Sequence, residues 1–549
     1  MKINTILVPY VQNLSTSRRH LFYLNIIEII TMKFSLKILI PILFCVNSLF
    51  ANNIRLKNVS LVDTIKASKE VNIKFDLSWE NSWRDDINWD AAWVTIKIKR
   101  ADGSWKHIKI QSTGFSIGTN TPNAKVVVPA DQMGAFIYRS QKGSGLMDLK
   151  DIKLRWNYGQ DSISNIDSAE IRIFATEMVY VPKGNFAFGD SYTQNASLYD
   201  RIIPSVFKNF TLADTTKYGS NSPMFTVISE RLSPMLSNYE SGSGPAYSFD
   251  QEIRSGIYIH GLQGIAVNNS GTYKYPEFPT GYKAFYCMKY EVTQGQYTDF
   301  LNTIRPVSSQ NNTPYQSDLL PITNNSRFSI KKVGTTYTVT RPDRAMDHVD
   351  FVHLFSFANW SSMRPMTELE FEKACRGPLA PKPYDKANGP RPTMTAMSNN
   401  MISNLKLDGP ETGTEAPLGV DSTKYLSLYS NTQIEGGDGG TGAYRVGVFA
   451  TPTSSRTSSG ASYYGIMGLT DNVGEYVVSL NTERSRSFKD VNGTGEVPAG
   501  YPDATRWFGQ TGGFISIYQE MIFKNDSVSS RYSGGPAGFR LVRSAPEDN

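Results

Sequence analysis

A chain of 549 residues is long enough to hold more than one domain, each with its own buried core. Hydrophobic residues at 40% and charged residues at 19% describe an ordinary globular protein and exclude a disordered or membrane-embedded one. The net charge of +6 is small for this size and no run of lysine and arginine marks a nucleic-acid face, so no nucleic-acid partner is expected.

In chain order the first signal is Met32–Ala51, which reads as a secretory signal peptide. Lys33 and Lys37 are its basic start, Ile38 to Phe44 its apolar run, and Ala51 the small residue before a polar stretch. That run is too short to span a bilayer. Met32 is then the expected start, with residues 1–31 an upstream extension. Phe44 stands where lipoprotein processing at Cys45 would want a small residue, which argues against a lipid anchor. The mature chain is expected to begin near Asn52 and to be exported, to the periplasm, the outer membrane's surface or the medium. It should not be transmembrane once the signal is removed.

Residues 52–176 carry strand patterning. Val71–Trp79, Val94–Lys99 and Ile108–Ile110 alternate apolar and polar residues, and Ala101-Asp-Gly-Ser104 between two runs is a good hairpin turn. Ile152–Trp156 and Ile171–Phe174 repeat the pattern. Short strands at this spacing predict an immunoglobulin-like β-sandwich. The region holds Trp79, Trp83, Trp89, Trp93, Trp105 and Trp156, six of the eight tryptophans. An exposed cluster of them would make a surface glycan binder, but core filling is the favoured expectation. Only Ala175–Glu177 separate Phe174 from Met178, which leaves almost no linker to the second region, 177–549.

That second region contains an insertion at 190–280, rich in Ser, Gly, Pro, Asn and Tyr, which predicts loops with little regular structure. Further on, Arg364-Pro-Met-Thr-Glu-Leu-Glu-Phe-Glu-Lys-Ala-Cys-Arg-Gly377 reads as a capped helix. Pro365 and Thr367 sit at its start, Glu368 and Glu370 put negative charge in its first turn, and Gly377 ends it. Phe371 and Ala374, three apart, can face a core.

The same string resembles the core signature of the formylglycine-generating enzyme, or sulfatase-modifying factor, domain. Other landmarks follow in that family's order: Met178–Gly189, Phe285–Tyr297, Arg445–Ala450, Gly465–Tyr476 and Gly538–Val542. Each is weak alone, and the ordered set is strong. The resemblance implies a C-type-lectin-like fold with little regular secondary structure over residues 177–549, and so an α+β chain overall.

Active members of the family oxidise a substrate cysteine with a copper-binding cysteine pair near the domain's C-terminal end. Here no cysteine follows Cys375, and serine cannot replace a thiolate toward monovalent copper. No copper is expected. Iron-dependent relatives use a histidine triad, but His348 and His353 are spaced five apart, on different faces of a helix. Three histidines would have to assemble from that pair and distant His260, so no iron is expected either. Whether Cys287 and Cys375 pair is open at this level.

Family members also bind calcium in the turn ahead of the Gly465–Tyr476 segment's end. Carried over, this gives Gly468 at the side-chain position, the carbonyls of Asp471 and Val473, and the carboxylate of Glu475. Gly468 has no side chain to offer, although Asp471 could compensate. The alternative is a structural turn with Glu475 bonded to backbone amides or to Arg540. Any such calcium would be structural. Arg364, Arg376, Arg484, Arg486, Arg540 and Arg543 recur at family-motif positions and are expected to hold the scaffold through arginine–carboxylate pairs.

Non-catalytic relatives work as assembly components in gliding and type IX secretion machineries. With the signal peptide and the missing cysteines, the resemblance permits an exported, non-catalytic binding or assembly protein with a protein partner in a cell-envelope complex, a secretion or gliding-type one among them, without selecting which. The alternative to it, besides glycan binding, is a divergent oxidoreductase with a repurposed pocket around Tyr476, Arg484, Ser529 and Arg531.

Overall fold

The computed structural model describes most of residues 54–188, 277–304 and 320–379, and also 225–227, 405–406, 416–417, 442–450, 459–470, 472–478, 487–497, 514–518, 523–525 and 537–547, with a few isolated positions between. The expected signal peptide and nearly all of the 190–280 insertion lie outside the described residues.

The first region supplies strands β1 (Arg55–Ile65), β2 (Glu70–Arg84), β3 (Asp90–Lys99), β4 (Trp105–His107), β5 (Ala124–Val127), β6 (Ala135–Arg139) and β7 (Gly143–Asn157). The turn foreseen at 101–104 joins β3 to β4. Arg100 N donates to Ser104 O at 2.7 Å, and Gly103 takes φ +81°, which a side chain would strain. Strand β8 (Ile171–Val181) then runs without a break from the first region into the second.

The second region contributes the hairpin β9 (Phe186–Phe188) with β10 (Phe225–Val227), then β11 (Phe285–Met288) and helix α1 (Gln294–Leu301). A second hairpin pairs β12 (Ile330–Val333) with β13 (Thr336–Val339). Helix α2 (Phe351–Trp360), β14 (Arg364–Pro365) and helix α3 (Glu368–Arg376) follow. The remaining strands are β15 (Leu405–Lys406), β16 (Ala416–Pro417), β17 (Gly474–Val478), β18 (Phe514–Tyr518), β19 (Phe523–Asn525), β20 (Ala537–Gly538) and β21 (Leu541–Ser544).

Local chemistry accounts for the three described helices. Each opens on a capping box: Thr293 with Gln296, Asp350 with His353, and Thr367 with Glu370. Helix α3 stops at Gly377, whose φ is +61°, as its sequence foretold.

Sheet order decides the architecture. Strands β1, β2 and β7 form one antiparallel sheet. The larger sheet runs β14-β21-β11-β8-β3-β6-β5, with β4 added at β3, and every pairing in it is antiparallel. It therefore contains strands of both regions. A further sheet, β19-β18-β17-β20, includes a parallel pairing of β17 with β20.

The larger sheet is covered on both faces, because its side chains alternate. On β3, Ala92, Val94, Ile96 and Ile98 pack with Val71 to Trp79 of β2 and Met147 to Trp156 of β7. From the other face of β3, Ala91 and Trp93, with Trp89 just ahead of the strand, join Phe136, Tyr138, Tyr286, Tyr297, Phe357 and Trp360 in a second core. The chain is thus a mixed, sheet-rich α+β protein with three layers where these two cores meet the shared sheet. Trp79 and Trp156 fill one of these cores and Trp89 and Trp93 the other, Trp105 is buried as well, and Trp83 packs half-buried against a separate cluster that includes Cys287 and Phe371.

Candidate functional site

The turn assigned to calcium by resemblance leads into β17. Val473 is fully buried, and Glu475 lies in the sheet opposite Ile517 of β18 and Gly538 of β20. The Glu475 carboxylate does not face water. Its Oε1 accepts from Arg540 Nε at 2.6 Å, and its Oε2 is buried with no hydrogen-bond partner among the described residues. Arg540 also lies 3.8 Å from Glu291 Oε2 and donates to the Met288 carbonyl at 3.3 Å. Burial works against the charge on Arg540, but Glu475 and Glu291 outweigh it and hold the guanidinium above its ordinary pKa.

Glu291 is the participant that sequence reasoning missed. It lies just ahead of the Thr293 cap, within the Phe285–Tyr297 landmark, and nothing in its local spacing distinguishes it from a surface glutamate. In the fold it takes the space left by Gly468. A Cβ on Gly468 would lie 2.5 Å from Glu291 Oε1, and Gly468 itself has φ +76°. Asn472 ties the arrangement together: its Nδ2 donates to Glu291 Oε1 at 3.3 Å and its Oδ1 accepts from Tyr444 N at 2.8 Å. The donor set is therefore all oxygen, with two buried carboxylates against one guanidinium. Glu475 Oε2 is the oxygen left over. Such a set suits calcium in kind. Among the described residues, however, no three His, Cys, Asp or Glu side chains are grouped to hold a metal ion, so main-chain carbonyls would have to complete any coordination.

Two more buried charge centres lie along the larger sheet. Lys289 Nζ donates to Glu177 Oε2 at 2.9 Å and lies 3.7 Å from Asp90 Oδ2. Asp90 in turn accepts from Trp79 Nε1 at 2.9 Å and Ser82 Oγ at 2.8 Å. Burial pushes Asp90 above the usual carboxylate range despite the pull of Lys289. At α3, Arg364 makes a two-pronged contact with Glu370, at 2.8 and 2.6 Å, and its Nε donates to Asp490 at 2.8 Å. Glu370 Oε2 also accepts from Thr367 N at 3.0 Å, so one carboxylate serves both the cap and the ion pair.

The other residues named from sequence fall as follows. Asp471, Arg484, Arg486, Ser529 and Arg531 lie outside the described residues, as do His20 and His260. Tyr476 is buried, and its ring packs on Phe351 with centroids 4.8 Å apart. His348 and His353 do not share a helix: His348 precedes α2 at φ +56°, and His353 belongs to the capping box. Cys287 and Cys375 are free and buried in one apolar cluster. Burial pushes the Cys287 thiol up to about 12 and the Cys375 thiol well above its ordinary value. Reactive cysteines show the opposite shift. Among the described residues no helix is long and apolar enough to cross a membrane.

These features define a class: a sheet-rich α+β scaffold whose short helices and irregular loops are held by buried arginine–carboxylate pairs. Residues 253–545, slightly more than half of the chain, match the model of the sulfatase-modifying factor enzyme 1-like domain. The chain belongs to that family. No curated protein matches it.

Proposed function

We propose that this chain is an exported, non-catalytic binding or assembly protein of the cell envelope, built on the family scaffold. One observation carries the proposal. Buried arginine–carboxylate pairs hold the described part of the scaffold, while both cysteines of the expected mature chain are buried thiols with raised pKa, and none follows Cys375. Copper-dependent oxidation of a cysteine needs accessible thiolates. The experiment is incubation of the mature chain with copper and a cysteine-containing sulfatase peptide, with mass spectrometry as the readout. Unchanged peptide is expected, and appearance of the aldehyde would overturn the proposal.

The partner is proposed to be a protein of an envelope assembly that meets the 190–280 insertion. Removal of the insertion should abolish co-purification of that partner from the native envelope. Full recovery of every partner by the shortened chain would refute this role. Residues 52–176 are proposed to be immunoglobulin-like, which the two facing sheets support, and residues 177–549 to be C-type-lectin-like.

A calcium ion at the β17 turn is proposed as a structural ligand only. Glu475 Oε2 and the Glu291 carboxylate, standing in for the side chain that Gly468 lacks, would hold it together with main-chain carbonyls. It would supply the countercharge that Arg540 alone leaves unbalanced. Metal analysis of the mature chain before and after chelation checks this, with a loss of thermal stability on chelation as the second readout.

A further inference from the structure

The family match begins at residue 253, yet helix α2 inside it ends against residues far upstream. A helix leaves its last carbonyls without partners, and something must satisfy them when the end is buried. The chain closes part of this end itself, through Ser361 N to Phe357 O at 2.9 Å and Met363 N to Ala358 O at 3.0 Å. Asn359 O accepts from Ser362 N at 3.2 Å and from Gly495 N at 2.8 Å, and the three carbonyls after it are met from elsewhere. Lys97 Nζ of β3 donates to Trp360 O at 3.0 Å, and Trp93 Nε1 of β3 donates to Ser361 O at 3.0 Å. Ser362 O accepts from Arg543 of β21. Arg543 is itself held by Asp131 of the first region, both carboxylate oxygens lying 2.6 Å from Nη2, and its guanidinium sits 4.3 Å over the Trp93 ring.

Lys97 shows how complete this cap is. Besides Trp360 O, its ammonium donates to Gly495 O and faces His107 Nδ1 at 3.4 Å. The Met133 carbonyl, 2.7 Å from His107 Nε2, can only accept, so the proton sits on Nε2 and Nδ1 is left as the acceptor. Three acceptors thus meet the three protons of one ammonium. The side chains that reach α2 from β3 are the odd-numbered ones, Trp93 and Lys97, while Val94, Ile96 and Ile98 fill the other core.

We propose that residues 54–176 are an obligate part of the family domain's fold in this chain. They supply the C-terminal cap of α2 and one face of its core, so neither half unfolds without the other. This inference is independent of the binding role proposed above.

The test is hydrogen exchange of the full mature chain across a guanidinium series, read by mass spectrometry on peptides from β2 and β7 and from α2 and α3. One midpoint is expected for all four. Trp93→Phe keeps the ring and deletes the donor, and Asp131→Asn weakens the hold on Arg543. Each should lower the midpoint of both halves by the same amount. Separate midpoints in the unsubstituted chain, or a shift confined to one half, would overturn the inference.

Discussion

Removal of one partner from the Arg364–Glu370 pair should cost far more than removal of both. The two side chains are each 2% exposed, so neither can recover its loss from water. Breaking a buried pair from one side costs about 3–5 kcal/mol, because the remaining charge is stranded. The two single substitutions are not equivalent here. Glu370→Ala leaves Arg364 with Asp490 at 2.8 Å and Ser544 Oγ at 3.2 Å, which places its cost near the lower end of that range. Among the described residues, Arg364→Met leaves Glu370 with the Thr367 amide as its one side-chain hydrogen-bond partner, which places it near the upper end, while Asp490, 24% exposed, can rehydrate. Replacing a buried pair by apolar residues of similar volume is often close to neutral, so Arg364→Met with Glu370→Met should lose less than about 2 kcal/mol. Guanidinium unfolding followed by far-ultraviolet circular dichroism measures all three, with shifts in midpoint at constant slope read as stability. Single losses below about 1 kcal/mol, or a double loss equal to the sum of the singles, would refute the stranded-charge argument.

Gly468→Ala should destabilise by about 2 kcal/mol or more, since it combines an unfavourable positive φ with displacement of the Glu291 carboxylate from Arg540. A substitution within 0.5 kcal/mol of the original, on the scale of ordinary surface changes, would mean that Glu291 does not occupy that space. Burial pushes Lys373 down to about 7 from 10.5, against the pull of Glu370. The unfolded chain then binds the extra proton between those values, so stability rises with pH across that window. Lys373→Met should remove part of the rise, seen as a gap between original and variant that grows in favour of the original from pH 7 to pH 9. A constant gap would contradict the assignment. Finally, Cys287 and Cys375 should resist a disulfide reagent in the folded mature chain at pH 8 and react fully in denaturant. Rapid labelling of either in the folded chain would show an accessible thiol and reopen the case for cysteine chemistry.

Sequence alone determined what depends on neighbours in the chain. The Thr367 cap, the first-turn charge of Glu370, the Gly377 stop and the turn at 101–104 each rest on residues a few positions apart, so their chemistry is visible without a fold. The family landmarks were legible for the same reason. What covers each side of a strand is a different matter. The alternation in Val94–Lys99 places Thr95 and Lys97 together on one face, and only the tertiary structure decided that this face is dry, covered by α2 and its following turn. Glu291 became a partner of Arg540 through pairing across about 250 residues, and Gly468 gained meaning only as the space which that carboxylate fills. Local spacing fixes which side chains share a face. Long-range packing decides whether that face meets water, a second core or a buried charge.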